Sequence, residues 1–172
     1  MTLPPVGAWR RAGIARGDGP LVEDERVVWL QVGDAFADLR AGGEDPVAFA
    51  GRTTVEGDVV TWHHEVSTQP PATDVGRVEH RDGLLVETGT GDDGRPYVEH
   101  WVPLPTTGPA LAHTAQDLRA VRVGDHVLVV RSSGACLLVG GVVVETVGTP
   151  PEVPVEFTQA QQERPARATA AP

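Results

Sequence analysis

The chain has 172 residues and a formal net charge of −10, and all 14 of its basic side chains are arginine. That length suits one domain of about 150 residues, able to bury roughly two-thirds of its unfolded surface. The acidic balance argues against a nucleic-acid partner, which needs a basic face, and against adhesion to anionic membranes.

A single cysteine rules out a disulfide within the chain, and the lack of lysine rules out Schiff-base chemistry on that side chain. The opening residues, 1–8, have no basic stretch followed by an apolar run, so they do not read as a signal peptide. No segment reaches the ~20 apolar residues of a membrane helix. A cytoplasmic protein is the expectation.

Turn residues recur roughly every 8 to 12 positions between valine-rich segments, the pattern of an antiparallel sandwich or barrel. In chain order the expected strands are residues 7–15, 25–32, 35–40, 47–55, 58–66, 76–81, 84–90, 97–104, 118–123, 126–131 and 136–147. Gly17-Asp18-Gly19, Gly33-Asp34, Glu56-Gly57-Asp58, Arg81-Asp82-Gly83, the loop 91–94 and Gly124-Asp125 supply the connections. Helix is expected only as short turns at 110–118 and 158–164. With no βαβ rhythm, an up-and-down barrel is favoured, the excess strands forming a flap or an extended sheet. The barrel domain is expected over 1–148, and the Pro-, Ala- and Gln-rich residues 149–172 read as a disordered tail.

Alternation sorts each strand into faces. Trp29 shares a face with Val27 and Gln31, Phe36 with Asp38 and Arg40, Trp62 with Val60, His64 and Val66, and Trp101 with Tyr97 and Glu99. An apolar-in, polar-out barrel would not mix aromatics with charges on one face. The mixture fits a cavity with aromatic walls and a few orienting polar groups; the alternative is that each aromatic packs with its polar neighbour at the rim.

The run Trp62-His63-His64-Glu65 is the most unusual stretch. Its two histidines point to opposite faces, so they do not form one metal site. His63 and Glu65 share a face, but a third ligand such as His80 or His100 is not demanded by the spacing. Acid–base work by His64 beside Glu87 or Glu99 is the sharper reading, set against a histidine satisfied by a cross-strand partner. Glu87 and Glu99 lie on strands joined through the 91–94 turn. Facing each other inside, one would keep its proton, unless Arg11 or Arg40 neutralised it. No nucleophile elbow, phosphate-binding loop or zinc motif is present in the sequence, and Cys136 reads as a small buried hydrophobe.

Gly7-Ala8-Trp9-Arg10-Arg11, Val28-Trp29-Leu30-Gln31 with Phe36-Ala37-Asp38-Leu39-Arg40, Thr61-Trp62-His63-His64-Glu65, and Glu87-Thr88-Gly89 with Glu99-His100-Trp101 occur in this order. Over residues 7–131 they resemble small actinobacterial proteins of the lipocalin-like (calycin) type. Those are similar to one half of a fungal two-barrel protein that partners a casein kinase. The resemblance implies an antiparallel up-and-down calycin-like barrel with an internal cavity, and no particular reaction. Gly7-Ala8-Trp9 matches the Gly-x-Trp of secreted lipocalins only loosely, which sets extracellular transport aside.

The expected function is intracellular binding of a small hydrophobic or aromatic metabolite. Trp9, Arg11, Trp29, Gln31, Arg40, His64, Glu87, Glu99 and Trp101 are the expected lining, with Arg11 or Arg40 pairing an anionic ligand group. The alternative is an isomerase, cyclase or hydro-lyase needing no cofactor. There His64 would be the acid/base, Glu99 its partner and Arg40 an anion stabiliser. A protein-interaction scaffold is a third reading. No metal, cofactor, nucleic acid or membrane enters any of them.

Overall fold

A computed structural model describes residues 3–24 and 26–159. Fourteen strands follow in order: β1 (Val6–Arg16), β2 (Val22–Glu23), β3 (Val27–Val32), β4 (Ala35–Arg40), β5 (Val47–Glu56), β6 (Val59–Ser67), β7 (Thr73–Arg81), β8 (Leu84–Thr90), β9 (Pro96–Pro103), β10 (Ala110–Ala115), β11 (Leu118–Val123), β12 (His126–Arg131), β13 (Gly134–Val139) and β14 (Val142–Gly148). One short helix, α1 (Val155–Gln159), ends the described chain. Every pairing is antiparallel between sequence neighbours except that β1 pairs with β3 and also with β9. The second pairing closes a barrel of eight strands, β1 and β3 to β9, with β2 a two-residue annex on β1. The chain is all-β, as the turn spacing predicts. The excess strands form a separate five-stranded meander, β10 to β14.

Three apolar layers result. Inside the barrel lie Leu3, Trp9, Val27, Trp29, Phe36, Phe49, Val60, Trp62, Val78, Leu85 and Trp101. Burying each tryptophan removes roughly 150–250 Å² from water, so these four carry much of the driving force for closure. Between barrel and meander, small residues on the barrel's outer face (Ala8, Ala37, Ala48, Ala50) meet Val121, Val123, Leu128, Val130 and Leu137. Alanines there let the second sheet approach to the usual ~10 Å of stacked sheets. The far face of the meander buries Leu118, Val127, Val129, Cys136 and Leu138 beneath Phe157 of α1.

Alternation holds along straight strands and fails at bulges. In the ladder between β5 and β6, Ala50 pairs with Val66 but Gly51 pairs with His64, so Glu65 is an extra residue. Its carboxylate reaches outward to Arg52 (2.7 Å) and to Arg119 of β11 (2.8 Å). Val66 therefore joins the outer cluster instead of sharing the inner face with Trp62 and His64 as alternation predicts. Gly51 permits the kink, because a Cβ there would collide with the carbonyl of His63.

Four further expectations are corrected. Residues 110–115 form strand β10, not a helical turn, because pairing with β11 outweighs the local alanine content. The expected strand 136–147 is a hairpin, turned by Gly140-Gly141 into β13 and β14. Helix α1 starts three residues before the expected 158. Beyond residue 148 the chain first packs: Phe157 is buried, and its carbonyl accepts from Arg122 Nη1 at 3.3 Å. Residues 160–172, the rest of the expected tail, lie outside the described residues.

Candidate functional site

The two ends of the barrel differ. At the end carrying the Gly33-Asp34 hairpin, Gln31 fills the axis. Its amide donates to the Gly33 carbonyl (2.8 Å) and to Thr53 Oγ1 (3.0 Å), and accepts from Trp29 Nε1 (3.3 Å). Trp9 lies 4.8 Å from Trp29, which in turn meets Trp62 and Trp101 edge-on at 5.8 and 5.5 Å. These side chains pack that half solid. The other half is a cavity of about 970 Å³, opening among residues 69–72 and 91–92. An eight-stranded barrel has room for one small ligand, so this size fits the fold.

Charge lies on top of the tryptophan layer. A bulge in β1, where Arg11 pairs with Trp101 and Gly13 with His100, keeps Trp9 and Arg11 on the inner face and then returns Ile14 to the cavity wall. Arg11 donates to Glu99 Oε1 and to Asp24 Oδ2, both at 2.5 Å. Arg40 donates to Asp38 Oδ1 at 3.1 Å and stands 3.6 Å from the same Oε1 of Glu99. Glu99 Oε2 has no hydrogen-bond partner among the described residues, although Glu99 is only 2% exposed. Burial works against the Arg40 charge, but Asp38 and Glu99 outweigh it and hold the guanidinium protonated. Burial pushes the Asp38 carboxyl up, with Arg40 pulling the other way.

Glu87 pairs with Glu99 across β8 and β9, so both carboxyls face inward. Burial, and then the neighbouring Glu99, push the Glu87 carboxyl up to about 8. The Tyr97 hydroxyl donates to Glu87 Oε1 at 2.9 Å, and burial followed by this carboxylate pushes the phenol above its ordinary range. Gly89 makes the contact sterically feasible: a Cβ there would come within 2.5 Å of the Tyr97 oxygen. On the opposite wall His64 stacks on Phe49, with ring centroids 4.0 Å apart and planes 15° from parallel. Its Nε2 lies 3.1 Å from Asp74 Oδ2, an ion-pair contact without full hydrogen-bond geometry, and the neighbouring imidazole holds the Asp74 carboxyl below its usual range.

Of the nine expected lining residues, Trp29, Arg40, His64, Glu87 and Glu99 line the cavity. Trp9, Arg11, Gln31 and Trp101 lie beneath it, in the packed half and the charge layer. Arg11 is spent on two carboxylates and does not reach the cavity wall. The expected catalytic pairing of His64 with Glu99 is not formed: His64 is placed on Asp74, and Glu99 on Arg11 and Arg40. Asp38, Asp74 and Tyr97 belong to the site and were not among the expected lining. Alternation already placed Asp38 beside Arg40 and Tyr97 beside Glu99. Nothing in the sequence marked Asp74, which precedes the expected strand. His63 meets Thr54 Oγ1 at 3.2 Å, and no three metal-ligating side chains converge among the described residues.

No family model matches the chain, and no curated protein matches it. Among solved structures it is similar to an uncharacterized protein from Bacteroides eggerthii DSM 20697, at 13% identity over 56% of this chain and 98% of that one, with a TM-score of 0.42.

Proposed function

We propose that the chain is an intracellular small-molecule-binding protein that holds a compact ligand with an apolar or aromatic body in the open half of its barrel. One observation carries the reading: the buried carboxyl of Glu99, one of whose oxygens has no partner among the described residues, faces a cavity of about 970 Å³ walled by Trp29, Trp62, Phe36 and Phe49. A protein interior normally leaves neither such a void nor such an acceptor, because both cost stability. The test is native mass spectrometry of protein purified gently from its own cells. A stoichiometric small-molecule adduct, released on denaturation, is the expected result. A bare mass, with no response of the tryptophan fluorescence to a chemically diverse library, would refute the reading.

Glu87 favours a second reading, acid–base catalysis without a cofactor. A carboxyl pushed up to about 8 keeps its proton at neutral pH, which is what a general acid needs. The working pair would then be Glu87 and Tyr97, not His64 and Glu99. Turnover that survives His64→Gln but is lost in Glu87→Gln would favour it over simple binding.

A further inference from the structure

We infer that the ligand is a small organic cation, a protonated amine on an apolar or aromatic body, whose ammonium sits between Glu87 and Glu99. This rests on the binding reading above and adds the charge of the ligand to it.

Carboxyls outnumber cations at the head of the cavity. At the junction of tryptophan layer and cavity, four carboxyls (Asp24, Asp38, Glu87 and Glu99) meet two guanidiniums. Both guanidiniums hold carboxylates, Arg11 through its two terminal nitrogens to Glu99 and Asp24, with its Nε unpartnered among the described residues, and Arg40 to Asp38. Both of their approaches to Glu99 fall on Oε1, which leaves the buried Oε2 without a donor. The donor to Glu87 is the neutral Tyr97 hydroxyl. Two carboxyls side by side on paired strands thus retain acceptor capacity. An ammonium, with three donors and no acceptor, satisfies both at once.

The walls favour the same charge. Aromatic faces attract cations, and the Arg40 guanidinium already lies 5.2 Å from the centre of the Phe49 ring. For an anion the wall offers Arg40, already held by Asp38, and the His64 ring, whose Nε2 faces the Asp74 carboxylate. The remaining cavity-lining arginines, Arg16 and Arg77, stand exposed at its edge, and Arg77 is paired with Asp58.

Binding has a proton signature. Glu87 holds a proton at neutral pH, and a cation beside it expels that proton to solvent, so affinity rises with pH. The other charged or titratable groups around this chamber are Tyr97 and Glu99 on β9, Asp38 and Arg40 on β4, Arg11 and Arg16 on β1, His64 on β6, Asp74 and Arg77 on β7, and Asp92 in the turn between β8 and β9. His64 and Asp74 are placed on each other, while Arg40 stays charged throughout the range.

The test is titration calorimetry of the full chain with three probes of one shape: tryptamine, indole-3-propionate and 3-ethylindole. Tryptamine stays cationic from about pH 6 to 8, as an alkyl amine does. It is expected to bind roughly 10- to 100-fold more tightly than 3-ethylindole, the scale of one charge-assisted hydrogen bond. It should also tighten with rising pH and release up to one proton, read from buffers of different ionisation heat. Glu87→Gln should abolish the proton release and weaken tryptamine by a larger factor than it changes 3-ethylindole. The wild-type pH dependence gives the same answer if that variant folds poorly. Tighter binding of indole-3-propionate, or equal binding of all three, overturns the cation assignment and leaves the binding reading standing. No binding of any probe at millimolar concentration also overturns the cation assignment, and the native mass measurement then decides the binding reading.

Discussion

Replacing Glu87 with glutamine should make the protein more stable at alkaline pH and change little in acid. Glu87 is 6% exposed, and its carboxyl is pushed from 4.5 up to about 8 by burial and by Glu99. Between those values the folded protein holds a proton that the unfolded chain has lost. The folded state's advantage is therefore full below about 4.5 and declines as pH rises through about 8. A rise of that size is worth roughly 5 kcal/mol once the group is ionised in both states. Glutamine carries no charge at any pH, and its carbonyl still accepts from Tyr97. The variant should match the wild type within about 1 kcal/mol near pH 5 and exceed it by roughly 3–5 kcal/mol near pH 9. Urea denaturation followed by tryptophan fluorescence at several pH values measures the difference directly. Parallel stability curves for the two proteins would show that Glu87 is ionised at neutral pH, and the charge arrangement derived above would fail with it.

Arg11→Met leaves Glu99 and Asp24 without their shared cation inside a closed barrel, and it should cost roughly 3–5 kcal/mol in urea denaturation; a loss below about 1 kcal/mol would show that the pair adds nothing net. Carbon-13 NMR should find the Asp74 carboxyl titrating below 3.8, and His64→Phe, which keeps the stack on Phe49, should return it toward that value; an unmoved midpoint would show that the contact is not held in solution. Phe157→Ala should cost about 3 kcal/mol and expose Cys136, whose thiol burial pushes up to about 11. Thiol labelling unchanged by that substitution would mean the last described segment does not cover the meander.

The inner face was legible wherever a strand ran straight. Val27-Trp29-Gln31, Phe36-Asp38-Arg40 and Tyr97-Glu99-Trp101 all point into the barrel, as alternation requires. It became illegible at one inserted residue: Glu65 reverses the parity beyond His64 and sends Val66 to the other side of the wall. The extra Glu65 is bonded on the outside by Arg119, which is 54 residues away in sequence. The separation into two sheets was hidden for another reason. Barrel and meander are both built of hairpins, and the run Leu104-Pro105-Thr106-Thr107-Gly108-Pro109 that divides them is no longer than the connection 41–46 inside the barrel. The His64 partner was missed because Asp74 sits at the edge of β7, where no periodic signal had begun. The prolines of residues 149–154 suggested an unpacked tail, while the single buried Phe157 holds that segment in place.

The meander covers only part of the barrel. Its strands β11 and β12 contact β3, β4, β5 and β6, whereas the outer sides of Val75, Arg77 and Glu79 on β7 face water. The ladder joining β7 to β8 also stops at Gly76 and Gly89, short of the mouth. Around the circumference, then, a two-ply wall gives way to a single ply with an unlaced seam. Such a seam opens at far lower free energy than the doubled side, so a guest would come and go there without the rest of the fold loosening. Amide hydrogen exchange should show it as a gradient, slowest in β3 to β5 and fastest along the upper edge of β7. The residence time of whatever the barrel holds would be set by that thin side, independently of the groups that recognise it.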